Sequence, residues 1–185
     1  MRELSHHVLD LLENSLAAGA TLVTLRIDED TEKDLLVIEV QDDGRGMDAE
    51  MQKRALDPFF TTRTTRHVGL GLPLLMAAAE RCDGGLELES DVGKGTRVKA
   101  WFVWEHIDRA PLGDMIGTLL GALLASHSNW DLVFAHRVDG DTFGLDTREL
   151  RETLGDVPLS HPAVRQWLEE YLQQGYAELY AKQRA

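Results

Sequence analysis

Asp42-Asp43-Gly44-Arg45-Gly46-Met47 sets two glycines beside an acid, directly after an apolar run. The run itself, Leu35-Leu36-Val37-Ile38-Glu39-Val40-Gln41, is β-branched and partly alternating, which predicts a half-buried strand that aims Asp42. Glycines at 44 and 46 permit backbone angles closed to other residues and leave no Cβ where a flat ring must approach. A carboxylate held at that edge can accept a hydrogen bond from the exocyclic amine of adenine, and a base without that donor leaves it unpaired. Asp42 is the candidate adenine reader of a nucleotide pocket. Taken alone, acid-Gly-x-Gly also describes an ordinary tight turn. Two familiar phosphate motifs are absent. Gly93-Lys94-Gly95-Thr96 lacks Ser or Thr directly after the lysine, and Gly44-Arg45-Gly46 is followed by Ala49 where a dinucleotide fingerprint needs glycine.

Upstream, residues 3–18 carry Leu4, Val8, Leu11, Leu12 and Leu16 at helical spacing and end at Gly19, a C-cap glycine. Asp10 and Asn14 lie four apart and so share one face of that helix. An asparagine carbonyl is a hard oxygen suited to Mg²⁺ carrying nucleotide phosphates, and a carboxylate one turn away can orient or deprotonate water. Strands over Thr21–Ile27 and Leu35–Gln41 flank the acidic segment Asp28–Asp34, read as a solvated hairpin tip.

Downstream, Asp48 caps a short helix through Leu56, stopped by Asp57-Pro58. Phe59-Phe60-Thr61-Thr62-Arg63-Thr64-Thr65-Arg66-His67-Val68-Gly69-Leu70-Gly71-Leu72 then gives two aromatics, a basic Thr-rich loop, and glycines opening an apolar helix to about Cys82. A glycine-rich helix start offers N–H groups to phosphate oxygens, and Arg63 and Arg66 can close over the same anion. Gly84–Ser90 and Thr96–Trp104 read as strands joined by a Gly-rich turn. From about 107 the character changes: a helix over 112–125, a hairpin of Asp131–Val138 and Thr142–Leu145, and helices near 147–154 and 161–182.

At 185 residues the chain suits one domain plus an appendage and can bury roughly 70% of its unfolded surface. One cysteine, Cys82, favours a reducing cytoplasm. Met115–Ala125 is far shorter than the roughly 20 residues that span a bilayer, so a soluble cytoplasmic protein is expected. Nineteen basic against 32 acidic residues give a net charge of −13, which argues against nucleic acid or an anionic membrane as partner. The segment 51–69 is the local exception, with Lys53, Arg54, Arg63 and Arg66 against Asp57 alone.

Four pieces in this order resemble the GHKL, or Bergerat-fold, ATP-binding domain shared by gyrase-type topoisomerases, the MutL mismatch-repair ATPase, Hsp-type chaperones and histidine kinases. Asp10-Leu-Leu-Glu-Asn14-Ser-Leu-Ala-Ala-Gly-Ala-Thr resembles the asparagine box, most nearly its MutL version, and Asp42 to Met47 the first glycine box. Asp57-Pro-Phe-Phe and Gly69-Leu-Gly-Leu72 resemble the kinase phenylalanine box and the second glycine box. Gly93-Lys-Gly-Thr96 resembles the late strand turn.

The resemblance covers residues 1–106 and implies an α+β, Bergerat-type two-layer sandwich, a mixed sheet with helices on one face, followed over 107–185 by a small α/β extension. It implies ATP and Mg²⁺ as cofactors. Asn14 would ligate the metal, Asp42 and Thr96 would hold adenine, Gly44 and Gly46 would shape the base pocket, and Gly69 and Gly71 would meet the phosphates, with Met47, Arg63 and Leu72 as further cofactor-binding candidates. Asp10 falls where hydrolytic and serine-kinase members place a glutamate base. Histidine kinases carry a phosphoacceptor hairpin before the asparagine box, and here only five residues precede His6. As a whole the chain is similar to stand-alone histidine-kinase-like ATP-binding proteins of anaerobic bacteria.

Two functions follow as expectations. One is a regulatory kinase acting in trans on a partner protein, and the other a self-contained ATPase or nucleotide-switched binding module. A third reading keeps the fold without ATP binding. Residues 107–185 offer little chemistry. Tyr176 and Tyr180, four apart, suggest an interaction surface, with a homodimer as a further candidate.

Overall fold

The computed structural model describes residues 3–57, 71–125 and 130–181. Helix α1 (Leu4–Ala17) buries Leu4, Val8, Leu11 and Leu12, and the chain leaves it where Gly19 takes φ +78°. The side chain of Glu3 does not cap its first turn. Instead the N–H groups of Leu4 and Ser5 donate to the carbonyls of Pro111 (3.0 Å) and Leu112 (2.8 Å), so a segment far along the chain completes the start of the first helix.

Strands β1 (Leu22–Asp30) and β2 (Leu35–Asp42) form an antiparallel hairpin. Helix α2 (Ala49–Ala55) is capped by Asp48, whose carboxylate accepts from the Met51 N–H at 2.8 Å. Helix α3 (Gly71–Glu80) leads to β3 (Gly85–Asp91) and β4 (Gly95–Val103). Then come α4 (Met115–Ala125), β5 (Asp131–Val138), β6 (Asp141–Asp146), α5 (Thr147–Leu154) and α6 (Pro162–Ala181). Helix α4 begins at Met115 rather than 112 because Asp114 caps it, accepting the Gly117 N–H at 2.8 Å.

The six strands make one sheet in the order β3-β4-β2-β1-β5-β6, antiparallel except where β5 joins β1 in parallel. Alternation puts Val23, Leu25 and Ile27, Leu36, Ile38 and Val40, and Leu132 and Phe134 on one face, where α1, α3, α4 and α6 pack around a single core. On the other face an ion-pair ladder crosses four strands, Arg26 to Glu39 (3.0 Å), Glu39 to Arg97 (2.7 Å) and Arg97 to Glu89 (2.9 Å). This is the expected α+β two-layer sandwich. The sheet runs past residue 106 without a break, since the β5–β6 hairpin extends it from the β1 edge.

The acidic segment 28–34 departs from the expected solvated tip. Strand β1 continues to Asp30, and its alternation turns Glu29 onto the covered face, where it is only 7% exposed. There Glu29 Oε1 accepts from His136 Nε2 (2.9 Å) and the Tyr180 hydroxyl (2.6 Å), and Oε2 from Trp104 Nε1 (2.8 Å). A carboxylate can only accept, so His136 Nε2 carries a proton, and Nδ1 faces the Tyr176 hydroxyl at 3.2 Å. Burial pushes the Glu29 carboxyl up, but the bonds from His136, Tyr180 and Trp104 outweigh it and hold it at about 2. Tyr176 and Tyr180 are therefore not a free surface pair. They stack on each other at 6.2 Å and meet the His136 ring edge-on at 5.5 and 6.0 Å.

Candidate nucleotide-binding site

At the opposite end of the same strands, Asp42 closes β2 with Val23 and Thr96 as its cross-strand neighbours. Its Oδ1 accepts the backbone N–H of Gly44 (2.9 Å) and of Thr96 (3.2 Å), and its Oδ2 accepts the Ser15 hydroxyl (2.8 Å). Helix α1, the glycine loop and β4 thus converge on one buried carboxylate. A carboxylate has about four acceptor positions. The described residues use two on Oδ1 and one on Oδ2, which leaves Oδ2 able to take one further donor such as an exocyclic amine.

The loop after Asp42 is held from both sides. Arg45 donates its N–H to the Ala18 carbonyl (3.0 Å) and accepts the Gly93 N–H (2.8 Å), pinning the loop between the end of α1 and the β3–β4 turn. Gly46 has φ +66°, and a Cβ there would lie 1.9 Å from the Asp91 carbonyl oxygen. At Gly44 it would lie 2.9 Å from the Ala18 Cβ. What a side chain would meet at both positions is protein, so these glycines let the loop pack down around Asp42. Asp43 points away and locks the start of β1, accepting from Thr21 N–H (2.7 Å), the Thr21 hydroxyl (2.6 Å) and Leu22 N–H (2.9 Å).

Ser90, which sequence reading passes over, is the hub beside Asp42. Its hydroxyl donates to the Gly95 carbonyl (2.8 Å), accepts the Met47 N–H (2.8 Å) and lies 2.9 Å from the Thr96 hydroxyl. With its one proton spent on Gly95, Ser90 must accept from Thr96, so the Thr96 oxygen presents lone pairs rather than a proton. Gln52 Nε2 donates to the carbonyls of Ser90 (2.7 Å) and Met47 (3.2 Å) and closes the cluster. Ser90 could have been found from the hairpin register, which sets it opposite Thr96. Gln52 carries no signal in the sequence.

Asp10 is half-buried on α1, and the first residue of α3 lies against it: a Cβ on Gly71 would sit 3.2 Å from Asp10 Cβ and 3.4 Å from its Oδ2. Asn14 is exposed one turn further along, beside the Ser15 that reaches Asp42. Asp10, Asn14, Asp42, Gly44 and Gly71 therefore border one region. Leu72 packs against the core and Met47 is half-buried beside Ser90. Arg63 and Gly69, with Phe59, Phe60 and Arg66, lie outside the described residues. Among the described residues no three His, Cys, Asp or Glu side chains are grouped to hold a metal. Asn14 suits an ion that keeps water and phosphate as its other ligands, which is how Mg²⁺ is ordinarily held on nucleotides.

One residue of α1 lies one turn before Asp10 and serves none of this. His7 is buried with Nδ1 unpaired among the described residues, and burial above all lowers it to about 4.

Residues 2–106, which contain every member of this cluster, match the family model described as histidine kinase-, DNA gyrase B- and HSP90-like ATPase. The chain belongs to that ATPase family. A putative sensor protein of Shewanella frigidimarina is 30% identical over 109 residues, which is 58% of this chain and 17% of that protein. A probable C4-dicarboxylate sensor kinase of Halalkalibacterium halodurans is 34% identical over 91 residues, 47% of this chain and 17% of the kinase. Sporulation kinase C of Bacillus subtilis is 42% identical over 60 residues, 32% of this chain and 14% of the kinase. The chain thus spans less than a fifth of these relatives. Membership with kinase relatives makes residues 2–106 a histidine-kinase-like ATP-binding domain. No helix among the described residues is long and apolar enough to cross a membrane.

Proposed function

We propose that this ATPase-family chain binds ATP with Mg²⁺ in the pocket headed by Asp42 and passes the γ-phosphoryl group to a partner protein, acting as a cytoplasmic regulatory kinase. The observation that carries the reading is the Asp42 carboxylate. It is buried, it is oriented by Ser15, Gly44 and Thr96, and among the described residues its Oδ2 accepts a single donor, which leaves it a second acceptor position. Adenine offers an amine donor, and its ring nitrogens offer acceptors only. The lone pairs on Thr96 then suit a second donor or a bridging water. Asn14 would ligate the metal, and Gly71 at the start of α3 would face the phosphates. Bound ATP supplies the transferable phosphoryl group. Asp10, set against Gly71, is the acid placed to take a proton from an accepting hydroxyl or to orient it. The kinase relatives favour transfer over simple hydrolysis.

The test is to incubate the protein with Mg²⁺ and ATP labelled on the γ-phosphate, alone and with lysate, following free phosphate and labelled protein. Label on a lysate protein, lost in Asn14→Ala, is the expected result. Phosphate release without protein label would replace transfer by hydrolysis, and failure of ATP to bind at millimolar concentration would overturn the pocket itself.

A further inference from the structure

We propose that the cleft between β6, α5 and α6 docks a basic segment of a partner protein, whose lysine or arginine side chain lies on the Trp167–Tyr171 pair and pairs with Glu149. The cleft is an open groove of about 460 Å³, lined at its base by Phe134 and Leu145. Trp167 and Tyr171 are one turn apart on α6 and stack at 5.2 Å and 17°, yet they stay 46% and 36% exposed. Helical spacing accounts for the stacking. It does not account for two large rings left in water beside Leu168 and Leu172, both fully buried. The Tyr171 hydroxyl donates to the Gly144 carbonyl at 2.8 Å, which fastens the pair over β6, the last strand of the sheet. Aromatic faces held this way attract cations, tryptophan most strongly.

The charged residues of the wall are acidic alone, Asp146 and Glu149. Asp146 is engaged by Arg148 at 2.6 Å, whereas Glu149 is exposed and forms no ion pair with a described residue. Glu149 gives the cleft one carboxylate outside an ion pair, although the Arg148 charge reaches it too, and a carboxylate beside an exposed aromatic pair favours a cationic occupant. Charge also disfavours a second copy of this chain, which carries −13 and would bring like charge to the cleft. The cleft lies outside the region matched by the ATPase family and does not depend on how ATP is used.

The probe is a fluorescein-labelled nonapeptide alternating arginine and threonine, titrated at low salt by anisotropy beside a twin with glutamate for every arginine. The arginine peptide is expected to bind and its twin not. Trp167→Ala should weaken binding about tenfold. Trp167→Leu, which keeps the apolar bulk and the fold, should weaken it similarly. Glu149→Gln should weaken binding about threefold, and Glu178→Gln, the same charge change on α6 outside the cleft, should leave it unchanged. Several results overturn the proposal: no binding of the arginine peptide, unchanged affinity in Trp167→Ala, full affinity in Trp167→Leu, or equal losses in Glu149→Gln and Glu178→Gln. So does a homodimer in sedimentation that Trp167→Ala abolishes, because it would assign the cleft to a second copy.

Discussion

Asp42 and Glu29 are two buried carboxylates on the same covered face of one sheet, each accepting three hydrogen bonds, and they stand at opposite ends of the strands. Val23 pairs with Asp42, and Glu29 lies six residues further along β1, roughly 20 Å away at ordinary strand rise. Their donors differ in bulk. Asp42 is served by two backbone amides and a serine, with Gly44, Gly95 and Ala18 around it, so a flat ligand can share the carboxylate. Glu29 is served by Trp104, His136 and Tyr180, with Tyr176 behind them, and these rings fill the space. On the proposed reading, equal burial and equal hydrogen bonding leave one acid to a ligand, whereas the other is a clasp between β1 and α6. The size of the donors decides which.

The largest effect we predict is from Glu29→Ala. It leaves His136, Tyr180 and Trp104 without their acceptor and should lower stability in urea by about 3–5 kcal/mol, while ATP affinity of the folded protein stays within about twofold. Collapse of ATP affinity with stability intact would erase the distinction between the two ends. Asp42→Asn should do the reverse. We expect a loss of about a hundredfold in ATP affinity by calorimetry, or 2–3 kcal/mol, with less than half the stability change of Glu29→Ala. Equal stability losses would make Asp42 a clasp as well.

Acid separates the regions in a different way. His7 on the pocket helix is held at about 4 against its ordinary 6.5, so the unfolded chain takes up that proton first. Its stabilising contribution is complete above 6.5 and is lost as pH falls toward 4. Glu29, held at about 2 against an ordinary 4.5, gives its contribution fully above 4.5 and loses it as pH falls toward 2. Stability against pH should decline in two steps, the upper one absent in His7→Leu. A wild-type profile flat between 6.5 and 4.5 would contradict the assignment for His7. The smallest expected effect is from Ser15→Ala, which removes one donor to Asp42 and should weaken ATP binding about fivefold, or 1 kcal/mol. No change would show that the backbone amides alone orient the acid.

The two acids were not equally legible in the sequence. Asp42 announces itself because it ends an apolar alternating run and glycines follow, and both facts are local. The element pattern was also local: Gly19, Asp48 and the hairpin turns mark their boundaries, and the sheet follows. Glu29 is hidden because Asp28 and Asp30 flank it, so its inward turn is masked by charge, and its partners stand 75, 107 and 151 residues away. Composition then favours water over a clasp. Ser90 is intermediate, since its partner Thr96 lies just across a turn and becomes visible once the register is drawn. The addition of β5 beside β1 has no local signature at all, because a parallel neighbour is chosen by the shape of the whole sheet.

That parallel pairing orders events during synthesis. Until β5 and α6 have been made, β1 has no neighbour on that side and Glu29 lacks His136 and Tyr180 as donors. Residues up to Ala181 take roughly 4 to 15 s more to appear. For that interval the nascent chain exposes an unpaired apolar strand to its neighbours, the situation in which chains pair wrongly. Charge on an open edge opposes such pairing, and Asp28, Glu29 and Asp30 put three acids at the end of this one.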